Sequence, residues 1–389
     1  MDGRTLLSGL QHLLPDMIAD IGELVRCESP SQDKAATARS AAVTARLGER
    51  LLGRPPERLV VGGTTHLRWR LGTTAPRVLL LGHHDTVWPL GSLRTHPFRV
   101  EGGVMRGPGC FDMKAGVVMA LYAAASLGDR SGVTLLITGD EEIGSPTSRR
   151  LIESEAARCG AALVLEAAAD SGALKTQRKG VSHYDVQVFG RAAHAGLEPH
   201  LGVNATVELA HQALAVAALN APERGTTVTP TVLSSGTTVN TVPAQGRLAV
   251  DVRTGDAAEQ HRVDAALRSL RPVLPGARVE VGGGINRPPL TARASASLFA
   301  KTAAVAVRLG LPRLEGVSVG GASDGNFTAG VGTPTLDGLG AVGGGAHAET
   351  EHVRVDALPQ RAALVASLMS ELLRPRVGAA PPDASAKDR

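Results

Sequence analysis

Three short apolar runs in this chain end in residues that can hold a proton or a metal ion. VLLLG (78–82) runs into His83, His84 and Asp85. VTLLIT (133–138) is followed by GDEE, which ends in Glu141 and Glu142, and AALVL (161–165) is followed by Glu166. Asp112 opens an apolar stretch after the loop RGPGCF, and His347 lies in GGGAHAETEHV. Each case alone has a plain explanation: a carboxylate after a strand usually caps the next helix, and paired glutamates in a loop are usually solvated. Three strands ending alike, with no basic residue among those groups, would concentrate negative charge that a divalent cation neutralises. Imidazole with carboxylate suits zinc, cobalt or manganese better than a thiolate site. Two histidines and four acids exceed the needs of one tetrahedral ion. They suit two ions about 3.5 Å apart sharing a carboxylate, an arrangement that activates water and polarises a carbonyl.

For these groups to meet, the strands that carry them must point the same way, because a parallel sheet places its sites at the carboxyl ends of its strands. The runs are short and uninterrupted by polar residues, as strands buried on both faces are. Helical stretches separate them: DMKAGVVMALYAAASLG (112–128) and SRRLIESEAARCG. That alternation predicts a doubly wound sheet. Near residue 180 the pattern changes. SHYDVQVFG, TVTPTVLSSGTT and RLAVDVRTG alternate with period two, and with ARVEVGGG and two helices they give β-α-β-β-α-β order. The first pattern resumes near residue 289, with a helix at 294–309 and a strand at 333–336. The expected fold class is α/β, with a doubly wound, mostly parallel catalytic domain at 1–179 and 289–376. An α+β lid of the split βαβ, ferredoxin-like kind is inserted at 180–288, and a Pro/Ala/charge-rich tail at 377–389 is expected to be disordered.

The ordered set HHDTVWP, GPGCFDMKAG, GDEEIGS, the Glu after ALVL, GRAAHAG and GGGAH resembles the M20 zinc metallopeptidases, nearest to their glutamate carboxypeptidase-like branch, over about residues 15–375. The resemblance implies two zinc ions, with cobalt or manganese as substitutes. His83 would bind one and His347 the other, with Asp112 bridging. Glu166 would complete the first site and Glu142 the second. It further implies Glu141 as general base and Asp85 as the group that orients His83; His84 receives no ligand role. His194 would reach the partner subunit's site and support the oxyanion, and Asn240 and Arg253 would hold a substrate carboxylate. The peptide bond after Asp112 would be cis. The implied activity is a metallocarboxypeptidase: release of a C-terminal, acidic amino acid from a peptidyl or N-acyl substrate. A dipeptidase or N-acyl amino acid deacylase acting on another amino acid is the alternative. A homodimer joined through the lids is implied as well.

Composition narrows the remaining choices. Hydrophobic residues make up 43% of the 389 and aromatics only 2%, so alanine, valine and leucine must build the core. The formal net charge is +4, but arginines such as Arg54, Arg58, Arg68 and Arg70 are scattered, which argues against a nucleic-acid partner. There is no apolar run long enough to span a bilayer. The N-terminal stretch reads as an amphipathic helix, not a signal peptide. Three well-separated cysteines, Cys27, Cys110 and Cys159, point to the cytoplasm rather than a disulfide framework. Lys175, Arg178 and Lys179 read as a solvated hinge before the lid, with attraction of an acidic substrate as the alternative. GASDG (321–325) has the form G-x-S-x-G, but glycines flank it on both sides, whereas a nucleophile elbow needs a strand, a sharp turn and a helix. Ser323 is therefore not expected to be a nucleophile; the resemblance gives Asp324 a supporting role.

Overall fold

The computed structural model describes residues 3–374; the predicted tail at 377–389 lies outside them. Strands Glu57–Val61 (β1), Thr64–Leu71 (β2), Val78–His83 (β3), Val133–Thr138 (β4) and Ala161–Val164 (β5) precede residue 180. Gly180–Phe189 (β6), Thr227–Ser235 (β7), Gln245–Thr254 (β8) and Arg278–Arg287 (β9) follow, and Thr335–Leu336 (β10) comes late. The main sheet has the order β1-β2-β4-β3-β5-β10. β3 pairs parallel with β4 and β5, and β10 pairs parallel with β5; β1 and β2 form an antiparallel edge. The three strands whose ends attracted attention are therefore adjacent and co-directional.

Both faces of this sheet are buried at β3, β4 and β5, which explains the unbroken apolar runs. Leu80, Leu135 and Leu163 pack into one core with helices Leu14–Arg26 (α1), Lys34–Leu52 (α2), Ala115–Ala125 (α3), Ala292–Arg308 (α6) and Ala357–Leu373 (α7). Their neighbours Leu79, Leu81, Leu136, Ala162 and Val164 face the other way, onto Ile152, Ala156 and Phe327. Alternate side chains pointing to opposite faces is the strand periodicity at work.

The four strands β6–β9 form a separate antiparallel sheet in the order β7-β8-β6-β9. Helices Ala205–Ala217 (α4) and Ala257–Arg268 (α5) cover one face, and Val186, Val188, Leu209, Leu248, Val250, Val252, Val263 and Leu267 make its own core. Arg247, Asp251 and Arg253 alternate with those β8 core residues, so they stand on the face away from the helices.

The apolar helix expected from residue 112 starts later, at Ala115. Asp112 has extended backbone angles (φ −115°, ψ 96°) inside an irregular turn at Cys110–Lys114, and the helix receives no side-chain cap. Asp112 is thus not a helix cap, which removes its plain structural explanation. The Asp112–Met113 peptide bond is cis.

Candidate metal centre

His83 ends β3 and is 1% exposed. Its Nδ1 lies 3.0 Å from the Asp85 carbonyl oxygen and 3.5 Å from Asp85 Oδ1. Nδ1–H therefore donates to Asp85, and Nε2 is left as the free lone pair. That Nε2 stands 3.4 Å from Asp112 Oδ1 and 3.5 Å from Glu166 Oε1. On the other side of Asp112, His347 Nε2 stands 3.3 Å from Asp112 Oδ2 and 3.2 Å from Glu142 Oε2. Two ligands of one tetrahedral zinc, each about 2.0–2.2 Å from the ion, lie about 3.3–3.6 Å apart. All four separations lie in that range or within 0.1 Å of it, as ligands of a shared ion do. The two oxygens of Asp112 divide the donors into two sets, His83 with Glu166 and His347 with Glu142.

The orphaned atoms agree. His83 Nε2, Asp112 Oδ1 and Glu142 Oε1 are buried without a hydrogen-bond partner, a costly state unless something else satisfies them. Donor atoms of His83, Asp112 and Glu142 lie within 4.8 Å of one another, as do those of His83, Glu141 and Glu166. The electrostatics favour a cation. Burial works against charging His83, yet Asp112, Asp85 and Glu166 outweigh it and raise its pKa well above the usual value. Hydrogen bonding to Asp112 and Glu142 pushes His347 up to about 10. Burial opposes ionisation of Asp112, but the two imidazoles hold its carboxyl far below the ordinary range. His347 takes φ 62°, the left-handed region that non-glycine residues seldom enter.

Glu141 follows β4 beside these ligands. Burial pushes its pKa well above the ordinary carboxylate value, with Arg287 pulling the other way. Arg287 Nη2, from the last residue of β9, donates to Glu141 Oε1 at 2.9 Å and to Asp324 Oδ1 at 3.0 Å. Asp324 also accepts from Ser145 Oγ and from Thr138 Oγ at 3.2 Å. It is buried between these groups.

Asp85 does more than face His83. Its carboxylate accepts the backbone N–H of Glu141 (3.2 Å) and of Glu142 (3.2 Å), and the Ser31 hydroxyl (2.6 Å). One buried side chain thereby sets the segment that carries both glutamates. His84 is buried and turned away, with Nε2 3.1 Å from the Thr65 carbonyl; burial lowers its pKa to about 4, so it stays neutral.

The remaining expectations fare unevenly. A two-residue ladder pairs His194 with Thr241, next to Asn240. His194 Nδ1 accepts N–H from Gly196 and Leu197, both at 3.1 Å. With that lone pair engaged, the ring proton sits on Nε2. Arg253 makes a two-bond pair with Asp251 at 2.8 and 2.9 Å. Among the described residues, no hydrogen bond or ion pair links His194, Asn240 or Arg253 to the metal ligands. The solvated-hinge reading fails for Arg178. It is buried and pairs with Asp337 at 2.8 and 3.0 Å, with Nη2 3.8 Å from Glu166 Oε2. Ser323 Oγ donates to the same Asp337 at 2.5 Å; among the described residues, no histidine hydrogen-bonds to either. Arg287 and Glu351 were not singled out from sequence; each meets partners more than a hundred residues away, which no local pattern encodes.

Residues 79–371 match the family described as Peptidase family M20/M25/M40. The chain belongs to peptidase family M20. It is accordingly a metal-dependent hydrolase of peptide-like amide bonds. Among M20 relatives, it is 32% identical over 314 residues to carboxypeptidase G2 of Pseudomonas sp. (strain RS-16), covering 77% of this chain and 75% of that one. It is 27% identical over 329 residues to the succinyl-diaminopimelate desuccinylase of Azoarcus sp. (strain BH72), covering 79% and 86%. The fold matches the crystal structure of the M20 family metallo-carboxypeptidase Sso-CP2 from Sulfolobus solfataricus with a TM-score of 0.74, at 16% identity over 92% of this chain and 99% of that one.

Proposed function

We propose that this M20 hydrolase is a two-zinc enzyme that releases a C-terminal acidic amino acid from a peptidyl or N-acyl substrate. The observation that carries the two-metal reading is the division of Asp112 between His83/Glu166 and His347/Glu142. Divalent cations held there would lower the pKa of water and polarise the scissile carbonyl; zinc suits these ligands, with cobalt or manganese able to replace it. Glu141 takes the proton of the attacking water and returns it to the leaving amine. Burial raises its pKa, the direction that makes a carboxylate a stronger base for the first transfer, and the proton it gains is then available for the second. Arg287 and the Asp85–amide bonds hold it in place. His194 offers an Nε2–H donor of the kind a developing oxyanion needs. Asn240 and Arg253 receive the substrate carboxylate, which requires Arg253 to turn from Asp251.

Residues 180–288 act as lid and dimerisation domain against the catalytic domain formed by 1–179 and 289–376. The lid's own core and sheet support that division. β7 is an open edge carrying exposed Val232 (59%) and Leu233 (51%), and the neighbouring α4 exposes Leu214 (73%). Apolar open edges invite pairing, so the protein is read as a homodimer whose lid brings His194 to the partner's site. Sedimentation at micromolar concentration is expected to show a dimer that Leu214→Glu with Val232→Glu converts to monomer. A wild-type monomer would overturn this and remove the role given to His194. A cytoplasmic location fits the three unpaired cysteines, and cell fractionation that finds the protein only outside the cytoplasm would reject it.

The substrate reading is tested by mass-spectrometric detection of amino acid released from a panel of N-acyl amino acids and dipeptides. Release of glutamate or aspartate at least about 10-fold faster than of neutral residues, a difference of about 1.4 kcal/mol in the barrier, is expected. Release of neutral or basic residues alone would move the enzyme to the dipeptidase or N-acyl amino acid deacylase reading. Similarity to a desuccinylase favours the deacylase form of that alternative.

A further inference from the structure

The strand His352–Arg354 pairs antiparallel with Val104–Arg106, with His352 opposite Arg106. That register carries Glu351 onto the loop that leads to Asp112. Glu351 is 3% exposed. Its Oε1 accepts the backbone N–H of Phe111 (2.9 Å) and of Asp112 (3.1 Å). Its Oε2 accepts the backbone N–H of Gly109 (2.9 Å) and the Trp88 indole N–H (2.6 Å). Among the described residues no arginine, lysine or histidine pairs with it; four N–H groups are its partners.

We propose that Glu351 is a positioning residue that fixes the metal-bridging carboxylate relative to the His347 segment. Three of its four donors come from the Gly109–Asp112 turn, whose own backbone hydrogen bonds, Lys114 N–H to Gly109 O and Ala115 N–H to Cys110 O, span Asp112 without engaging its N–H. Glu351 lies four residues after His347, so one side chain connects the segment bearing the shared ligand to the segment bearing a ligand of the second set. Only a carboxylate does this at a single residue: each oxygen receives two N–H groups and offers no hydrogen of its own. Groups that orient metal ligands typically change metal affinity about 10–100-fold when replaced. Asp85 plays the matching part for Glu141 and Glu142, so each irregular ligand-bearing turn has its own amide-gathering carboxylate.

This inference rests on the two-metal reading, and the test separates the two. Metal-free wild type and Glu351→Gln are titrated with Zn²⁺ against a competing chelator, and with Co²⁺ by visible absorption. A glutamine has one acceptor oxygen and one NH₂ group, so two of the four donors lose their acceptor whichever way the amide turns. Wild type is expected to take two ions per chain. Glu351→Gln should bind at least one of them about 10–100-fold more weakly, with an altered cobalt spectrum and a loss in kcat rather than a rise in KM. Trp88→Phe removes one donor and leaves the three amides clamped, so it should change affinity by less than about 3-fold, a small part of that range. Wild type binding one ion or none would defeat the two-metal reading. Wild type binding two, with Glu351→Gln equal to it in affinity and spectrum, would overturn this inference alone. So would a Trp88→Phe defect as large as that of Glu351→Gln, or a Glu351→Gln variant that only melts earlier. If Glu351→Gln does not fold, hydrogen exchange of the metal-free wild type decides: the 109–112 amides should be protected, and exchange as fast as in an open loop would reject the clamp.

Discussion

Glu141→Gln is expected to lower kcat by about 10²–10⁴-fold, the usual contribution of a positioned general base, while the protein still binds two metal ions. At 1.36 kcal/mol per decade, that is about 2.7–5.4 kcal/mol of barrier. Glutamine is the informative replacement. Its amide oxygen can still accept from Arg287, and its backbone N–H can still donate to Asp85, so the cluster with Asp324 and Ser145 has no reason to rearrange. What glutamine cannot do at neutral pH is take a proton from water and return it to an amine. The metal count belongs in the same experiment, because Glu141 also has an oxygen in the donor group of His83 and Glu166. Loss of an ion in the variant would make Glu141 a ligand rather than a base. Activity within about 10-fold of wild type, below the range for general bases, would end the assignment.

Asp112→Ala should abolish activity and lower the metal content from two ions per chain to less than one. Glu142→Ala and Glu166→Ala should each cost one ion. The difference follows from geometry. Glu142 and Glu166 approach one imidazole each, whereas Asp112 presents Oδ1 to His83 and Oδ2 to His347. Removing the shared carboxylate also leaves two imidazoles without the anion that draws cations toward both. Elemental analysis of the purified variants measures this directly. If Asp112→Ala keeps as much metal as Glu166→Ala, the bridging role is wrong and the two donor sets are independent.

Much of the molecule was legible from local pattern. The strands at 78–83, 133–138 and 161–164 follow from short apolar runs, and the period-two stretches gave the inserted sheet its four long strands in the expected order. The helix expected at 294–309 is Ala292–Arg308. The helix expected from 112 starts at Ala115, because apolar periodicity is blind to an irregular turn that keeps the same composition. The hinge reading of Arg178 failed for a related reason: a basic side chain is usually solvated, unless the fold supplies a buried carboxylate, here Asp337.

Which residues arrive at the sheet edge follows from the chain's local pattern, since parallel pairing of neighbouring buried strands sends their carboxyl ends to one side. His83, Glu141, Glu142 and Glu166 needed no more than that. How they are held depends on contacts between remote segments. Glu351 meets the amides of Gly109, Phe111 and Asp112 across separations of 242, 240 and 239 residues, and Arg287 meets Glu141 across 146. Asp85 was expected to serve His83, two residues away; its carboxylate, 3.5 Å from His83 Nδ1, also accepts amides 56 and 57 residues distant. Side-chain type and strand direction are local properties of a chain. Hydrogen bonds of a few ångströms between remote segments exist only once the packed core has fixed the distance between them.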